Sequence, residues 1–249
     1  MSGRRQELRV ADLPAEVSSV VDALIAALGD DLAALLWHGS FARGEAKPDS
    51  DHDLVIILKR IDDDVLRRMQ KVFRGRANWS TFVQSQEEMR QYPLHGRLQF
   101  AEGIHLLYGA FEPPPVAREH VLDEIRSLAR NIRFECRYRI LHREPEYADM
   151  DERMRGFLRA RNLRMLHYAA KLAVLALKAR ELLHGRPYPA TRAQLRERLR
   201  DPEDVAIVDL VEGWPQPRES YAGDLTELAL RLDACARRLV TELPGEKDA

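Results

Sequence analysis

The spacing of apolar residues divides the chain into two stretches of different character. Val17, Val20, Val21, Leu24, Ile25 and Leu28 recur at steps of three and four, which predicts a helix over 15–28, stopped by Gly29. Leu35-Leu36-Trp37 and Leu54-Val55-Ile56-Ile57-Leu58 are short unbroken apolar runs, the pattern of strands buried on both faces. Between 61 and 73 the helical spacing returns at Ile61, Val65, Leu66, Met69 and Val72. Asn78–Val83 reads as a strand from its aromatic and β-branched content, 86–91 as a helical turn halted by Pro93, and 104–108 as a closing strand. Phe111-Glu112-Pro113-Pro114-Pro115 is a linker by composition. Such alternation implies an α/β layer with a mixed sheet over residues 1–115.

From Val116 onward only helical spacing remains. Val121, Ile125, Leu128 and Ile132 mark one helix, reaching Ile140 and Leu141. A long helix over 151–184 carries Leu158, Met165, Leu166, Ala169, Ala170, Ala173, Val174 and Leu177, and is stopped by Gly185 and Pro187. Segments 193–199, 205–211 and 225–239 complete an all-α bundle of about five helices over 116–249. The fold class is therefore α+β: a small mixed-sheet domain followed by a helical bundle.

Composition adds boundaries. With 249 residues, 45% hydrophobic and 32% charged, the chain has the profile of an ordinary globular protein. Cys136 and Cys235 are isolated, without metal-ligand or disulfide-framework spacing, which fits a reducing compartment. The N-terminal stretch has no apolar core of a signal segment and no run of about 18 apolar residues occurs, so a cytoplasmic location with no membrane contact is expected. The net charge of −1 hides an uneven distribution: −3 over residues 1–115, +9 over 116–200 and −7 over 201–249. Two uses of the basic middle stay open at this point. It could face a polyanion such as a nucleoside triphosphate or RNA, or be neutralised by the acidic tail folding back on it.

The candidate chemistry lies in Leu35–Lys59, LLWHGSFARGEAKPDSDHDLVIILK. His38-Gly39-Ser40 follows a strand, and glycine there lets the backbone turn sharply out of a sheet. Ser40 suits the N-cap of a short helix over 41–44, which would free N–H groups for an anion. Lys47-Pro48-Asp49-Ser50 is a turn by composition. Asp51 and Asp53, two residues apart at the head of a strand, project to the same side. Adjacent carboxylates repel unless a cation holds them, and a hard divalent ion with oxygen donors, Mg²⁺, answers that need while sharing its remaining positions with phosphates. The flanking His38 and His52 raise zinc as an alternative, but oxygen donors beside a phosphate site favour magnesium. The local chemistry is metal-assisted phosphoryl or nucleotidyl transfer.

The combination GSFARG…SDHDLVII resembles the signature of the polymerase-beta-type nucleotidyltransferase superfamily, matching at Gly39, Ser40, Ala42, Arg43, Gly44, Ser50, Asp51, Asp53 and Leu54. It is most similar to the minimal nucleotidyltransferases and the aminoglycoside nucleotidyltransferases, in which a helical bundle follows the small catalytic domain. Only residues 33–60 carry specific matches. The resemblance implies that Asp51 and Asp53 bind metal and act in catalysis, and that Gly39 and Ser40 seat the triphosphate. It also implies a third carboxylate on the strand that here reads Asn78–Val83, which contains no Asp or Glu. Glu87, Glu88 and Glu102 are the nearby candidates to complete the site.

Other basic residues have two readings. Arg43 is positioned to touch a phosphate or to pair with Asp49 or Glu45. Arg164, His167, Lys171 and Lys178 form a stripe on the long helix, either facing solvent or reaching the triphosphate, with Lys171 the first choice for the latter. Arg161-Asn162 and His167 resemble the Arg-x-His arrangement of HEPN ribonucleases, but with a gap of four residues after the Asn. Trp37, Trp79 and Trp214 suit packing better than base stacking. The expected protein is an Mg²⁺-dependent nucleotidyltransferase moving AMP from ATP onto an acceptor hydroxyl. The acceptor would be a small molecule such as an aminoglycoside, with protein or RNA left open, in a pocket between the domains. Its rival is a catalytically impaired nucleotide-binding or antitoxin-like module with a HEPN-type helical or RNA partner.

Overall fold

A computed structural model describes residues 13–48, 50–91, 104–112, 115–142, 150–215 and 220–243. The chain divides into two compact units, residues 1–115 and 116–249.

The first unit is built on a four-stranded mixed sheet in the order β3-β2-β1-β4, with β1 at Leu32–His38, β2 at His52–Leu58, β3 at Trp79–Ser85 and β4 at His105–Gly109. β1 runs antiparallel to β2 and β4, whereas β2 and β3 are parallel. A parallel pair needs a crossover. It is supplied by α3 (Asp63–Phe73), whose N-cap Asp62 accepts a hydrogen bond from Val65 N–H at 2.9 Å.

The unbroken apolar runs of β1 and β2 are explained by cover on both faces. One face packs Leu35, Trp37, Leu54, Ile56 and Leu58 against Val17, Val20, Val21 and Leu24 of α1 (Ala15–Leu28) and Val65 and Met69 of α3. The other carries Ala34, Leu36, Val55 and Ile57, packed with Met89 of α4 (Gln86–Gln91) and the half-buried Phe82, Leu106 and Phe111. Asp53 alternates with Val55 and Ile57, so it belongs to this second face.

The second unit is helical: α5 (Arg118–Leu141), α6 (Glu152–Leu183), α7 (Arg192–Arg198), α8 (Pro202–Glu212) and α9 (Leu225–Thr241). Val121, Ile125, Leu128 and Ile132 are all buried, as their spacing predicts. α6 is the central helix, with Leu163, Leu166, Ala170, Ala173 and Leu177 wholly buried. Asp151, Thr191, Asp201 and Asp224 cap four of the helices through side-chain oxygens. Both cysteines are buried, and burial pushes each thiol up to about 12. No helix among the described residues is long and apolar enough to cross a membrane.

The basic middle of the chain is met by its acidic tail. Arg137 pairs with Asp233, Arg180 with Asp204 and Glu242, Arg192 with Glu212, and Arg196 with Asp209. At these positions the excess positive charge is spent inside the unit. Lys178 is likewise internal: it is buried, donates to the Ala190 carbonyl at 2.7 Å and lies 5.8 Å from the Tyr188 ring. His167 is buried 4.7 Å from the Trp214 ring, so the proposed stripe does not share one surface.

Candidate functional site

The candidate residues of the first unit collect where β1 ends and β2 begins. His38, the last residue of β1, is paired in register with Asp53 of β2. Between them the chain makes a one-turn helix, α2 (Gly39–Ala42). Ser40 is its second residue, and His38 occupies the N-cap without a side-chain cap bond, so the helix expected over 41–44 with Ser40 as N-cap begins two residues earlier. The return to β2 is a turn closed twice, by Ser50 N–H to the Lys47 carbonyl at 2.9 Å and by Lys47 N–H to Ser50 Oγ at 2.8 Å. Asp49, within that turn, lies outside the described residues.

Gly39 is required at its position for two separate reasons. Its φ of +80° is a left-handed conformation that residues with a Cβ rarely adopt. A Cβ built there would also stand 1.8 Å from Asp53 Oδ2. The corner and the second aspartate are thus one packed unit. Asp51 is exposed and Asp53 half-buried. Being two residues apart on an extended segment, they share a side, and His52 between them turns to the opposite one.

His52 belongs to the sheet's buried face. It stacks on Phe41 at 4.0 Å and on Trp79 at 5.0 Å, and its Nε2 lies 3.8 Å from Glu16 of α1. Glu16 also accepts from Trp79 Nε1 at 3.2 Å. This aromatic clamp, invisible to a local motif reading, fixes the backbone that carries both aspartates. His38 is held well below the ordinary histidine value, at about 4, mainly by burial and further by the Arg43 charge, with Asp51 opposing. It is a neutral imidazole at pH 7. His105, at the start of β4, donates through Nε2 to the Ala42 carbonyl at 2.9 Å, and so ties the corner to the fourth strand. Its role has no signal in the sequence pattern.

Of the two readings of Arg43, the structure shows the ion pair: its Nε donates to Glu45 Oε2 at 3.0 Å. Lys171 is an exposed residue of α6 in the second unit.

The β2–β3 register gives the neighbours of the aspartates on β3. Asp53 pairs with Ser80, and in a parallel ladder paired side chains stand on the same face, with strands about 4.8 Å apart. Ser80 is exposed. Glu87 and Glu88 follow Ser85, the far end of β3, roughly 16 Å along the strand from Ser80 at about 3.3 Å per residue. Both are occupied there. Ser85 and Glu88 form a reciprocal capping box, with Ser85 N–H donating to Glu88 at 2.7 Å and Glu88 N–H donating to Ser85 Oγ at 3.1 Å. Glu87 pairs with Arg90 and accepts from Gln91 Nε2 at 2.7 Å. Glu102 lies outside the described residues. Among the described residues no group of three or more His, Cys, Asp or Glu side chains could hold a metal ion.

Residues 21–98, which span both the corner and β3, match the family model of the nucleotidyltransferase domain. No curated protein matches the chain. Among solved structures the fold is similar to that of a spectinomycin adenyltransferase, AAD(9), from Enterococcus faecialis, determined with ATP and spectinomycin. The likeness has a TM-score of 0.50 at 13% identity and covers 90% of this chain and 98% of that one.

Proposed function

With residues 21–98 forming a nucleotidyltransferase domain of the polymerase-beta type, we propose that the chain transfers AMP from ATP, with Mg²⁺, to a hydroxyl of a small molecule such as an aminoglycoside. The observation that carries this reading is the packing of the Gly39 backbone against the carboxylate of Asp53, with Asp51 on the same side. Two carboxylates on one side of the strand head, Asp51 exposed and Asp53 half-buried beside the Gly39 backbone, are hard oxygen donors of the kind that suits a divalent cation and its phosphate ligands. Asp51 and Asp53 would hold that cation. When bound, it supplies charge neutralisation to the phosphates around the reacting phosphorus.

The chain's own residues account for the rest. Gly39 and Ser40 seat the triphosphate at the corner, where a bulkier residue 39 would displace Asp53. Arg43, which pairs with Glu45 through Nε, would offer its remaining guanidinium N–H groups to a phosphate in the bound state. In the reaction the acceptor oxygen bonds to the α-phosphorus as the bond to the β-phosphate oxygen breaks. Pyrophosphate leaves with that electron pair, and the hydroxyl proton passes to solvent. The ATP and spectinomycin of the structural relative support the choice of donor and acceptor class.

A second reading is favoured by Ser80. A module that binds nucleotide without efficient turnover, and acts through a helical or RNA partner, would tolerate a hydroxyl beside Asp53. Thermal unfolding with ATP, GTP, CTP and UTP, with and without Mg²⁺, tests the first reading. Ligand at 100 times Kd stabilises by about 2.7 kcal/mol. Mg²⁺-dependent stabilisation by ATP, lost in Asp53→Asn, is expected, followed by pyrophosphate release with an aminoglycoside panel. Stabilisation by none of the four overturns it; stabilisation without turnover for any acceptor favours the second.

A further inference from the structure

Ser80 has a consequence for the number of metal ions that the site holds. We propose that Asp51 and Asp53 hold one divalent cation per chain in the nucleotide-bound state, and that Ser80 is the residue that limits the site to one. This inference rests on the nucleotidyltransferase reading and adds to it a departure specific to this chain.

Two divalent ions about 3.5–4 Å apart need carboxylates that reach both of them. The β2–β3 register allows residue 80 to be such a group: it stands beside Asp53, on the same face, one strand spacing away. The chain places a hydroxyl there, which can donate a lone pair but brings no charge. Two carboxylates balance one divalent ion; a second would be carried by neutral ligands and the nucleotide alone. Among the described residues, the neighbouring acids Glu45, Glu16, Glu87 and Glu88 have other partners. Glu45 accepts from Arg43, Glu16 lies with His52 and Trp79 on the opposite face, and Glu87 and Glu88 serve the far end of β3. Ser80 is exposed on an edge strand, so a longer or charged side chain fits there without disturbing the core.

The test counts ions directly. The full chain, stripped of metal, is titrated with Mn²⁺ in the presence of a non-hydrolysable ATP analogue. Bound Mn²⁺ is read by electron paramagnetic resonance, alongside thermal stabilisation by the analogue. The expected result is one bound Mn²⁺ for the native chain and for Ser80→Asn, and two, with the broadened spectrum of a coupled pair, for Ser80→Asp or Ser80→Glu. Adenylyl transfer is expected to rise at least tenfold in the acidic variant. Two ions in the native chain overturn the proposal, since a carboxylate from elsewhere then completes the site. One ion in both acidic variants overturns it as well, because residue 80 is then not the limiting position. Neither Mn²⁺ nor nucleotide binding by the native chain is a different failure, that of the nucleotidyltransferase reading itself.

Discussion

Two aspartates show how differently the two units use charge. Asp204 of α8 is 2% exposed and held by Arg180 at 2.6 Å and Arg238 at 3.0 Å. Asp51 stands exposed at the head of β2, beside a second aspartate of the same sign. In the bundle, carboxylates and guanidiniums satisfy each other. Although burial pulls Arg180 down, Asp204 and Glu242 beside it hold it above the ordinary arginine value. At the sheet end, like charges are gathered and a glycine is spent to bring backbone against one of them. Charge that closes on itself is structural, whereas charge assembled against its own repulsion is what the proposed function reads as a cation site.

Exchanging one aspartate in each unit should separate these roles most sharply. Asp53→Asn is expected to weaken Mg²⁺-dependent ATP binding on the order of 100-fold, the upper range for loss even of a group that only supports a metal ligand. Its unfolding temperature without ligand should be nearly unchanged. Asp204→Ala should do the reverse. Removing one partner of a buried ion pair costs about 3–5 kcal/mol, and here two guanidiniums each lose their buried acceptor, Arg180 keeping Glu242. Urea unfolding and nucleotide titration on both variants give the comparison. It breaks if Asp204→Ala alters ATP affinity in the folded protein, or if Asp53→Asn unfolds the first unit.

Gly39→Ala combines both effects at one residue. The left-handed φ of +80° should cost about 1–3 kcal/mol, and the added methyl must displace the Asp53 carboxylate. Lower thermal stability together with lost Mg²⁺-dependent stabilisation by ATP is expected. Stability lost with binding intact would mean that the corner serves the fold alone. A smaller effect should come from Glu124 of α5, a buried carboxyl without a hydrogen-bond partner at Oε2 among the described residues. Burial raises it from 4.5 to about 7. The folded state then holds that proton more tightly than the unfolded chain, so stability should fall as pH rises from 4.5 to about 7. Glu124→Gln should flatten that slope in pH-dependent urea unfolding. An unchanged slope would show that Glu124 does not control it.

Much of this contrast was legible in the sequence. Apolar runs with only two-residue alternation of charge at their heads, as at Asp51 and Asp53, announce strands and a site in the same few residues. The long helical repeats around Val121–Ile132 and Leu163–Leu177 required no tertiary information. What a linear reading could not supply was register. That Ser80, and not Glu87 or Glu88, neighbours Asp53 follows only from how β3 pairs with β2, since a slip along the strand would reassign every neighbour. His105 at the corner and His52 in its aromatic clamp are contacts across 63 and 27 residues or more, beyond any local pattern. The stripe from Arg164 to Lys178 is split between buried and exposed residues for a related reason: helical spacing gives a common side, but the neighbouring segments with Trp214 and Ala190 decide how much of it is covered.

The finest test of the comparison lies within a single strand. Ser80 and Glu88 stand at or beyond opposite ends of β3, and the capping box places Glu88 at the start of α4. The Ser85 backbone N–H, and then its hydroxyl, hold the Glu88 carboxyl below its usual 4.5. Its stabilising contribution is therefore present above that pH and lost as pH falls through the lowered value. Glu88→Gln keeps an acceptor for the Ser85 N–H but removes the charge. It should cause a small loss of stability at pH 7 that disappears in acid, while ATP affinity and Mn²⁺ stoichiometry stay at native values. If Glu88→Gln instead lowers the Mn²⁺ count or the transfer rate, the carboxylate that the sheet register excludes reaches the aspartates after all. The distinction between the capped end of the strand and the catalytic end would then fail.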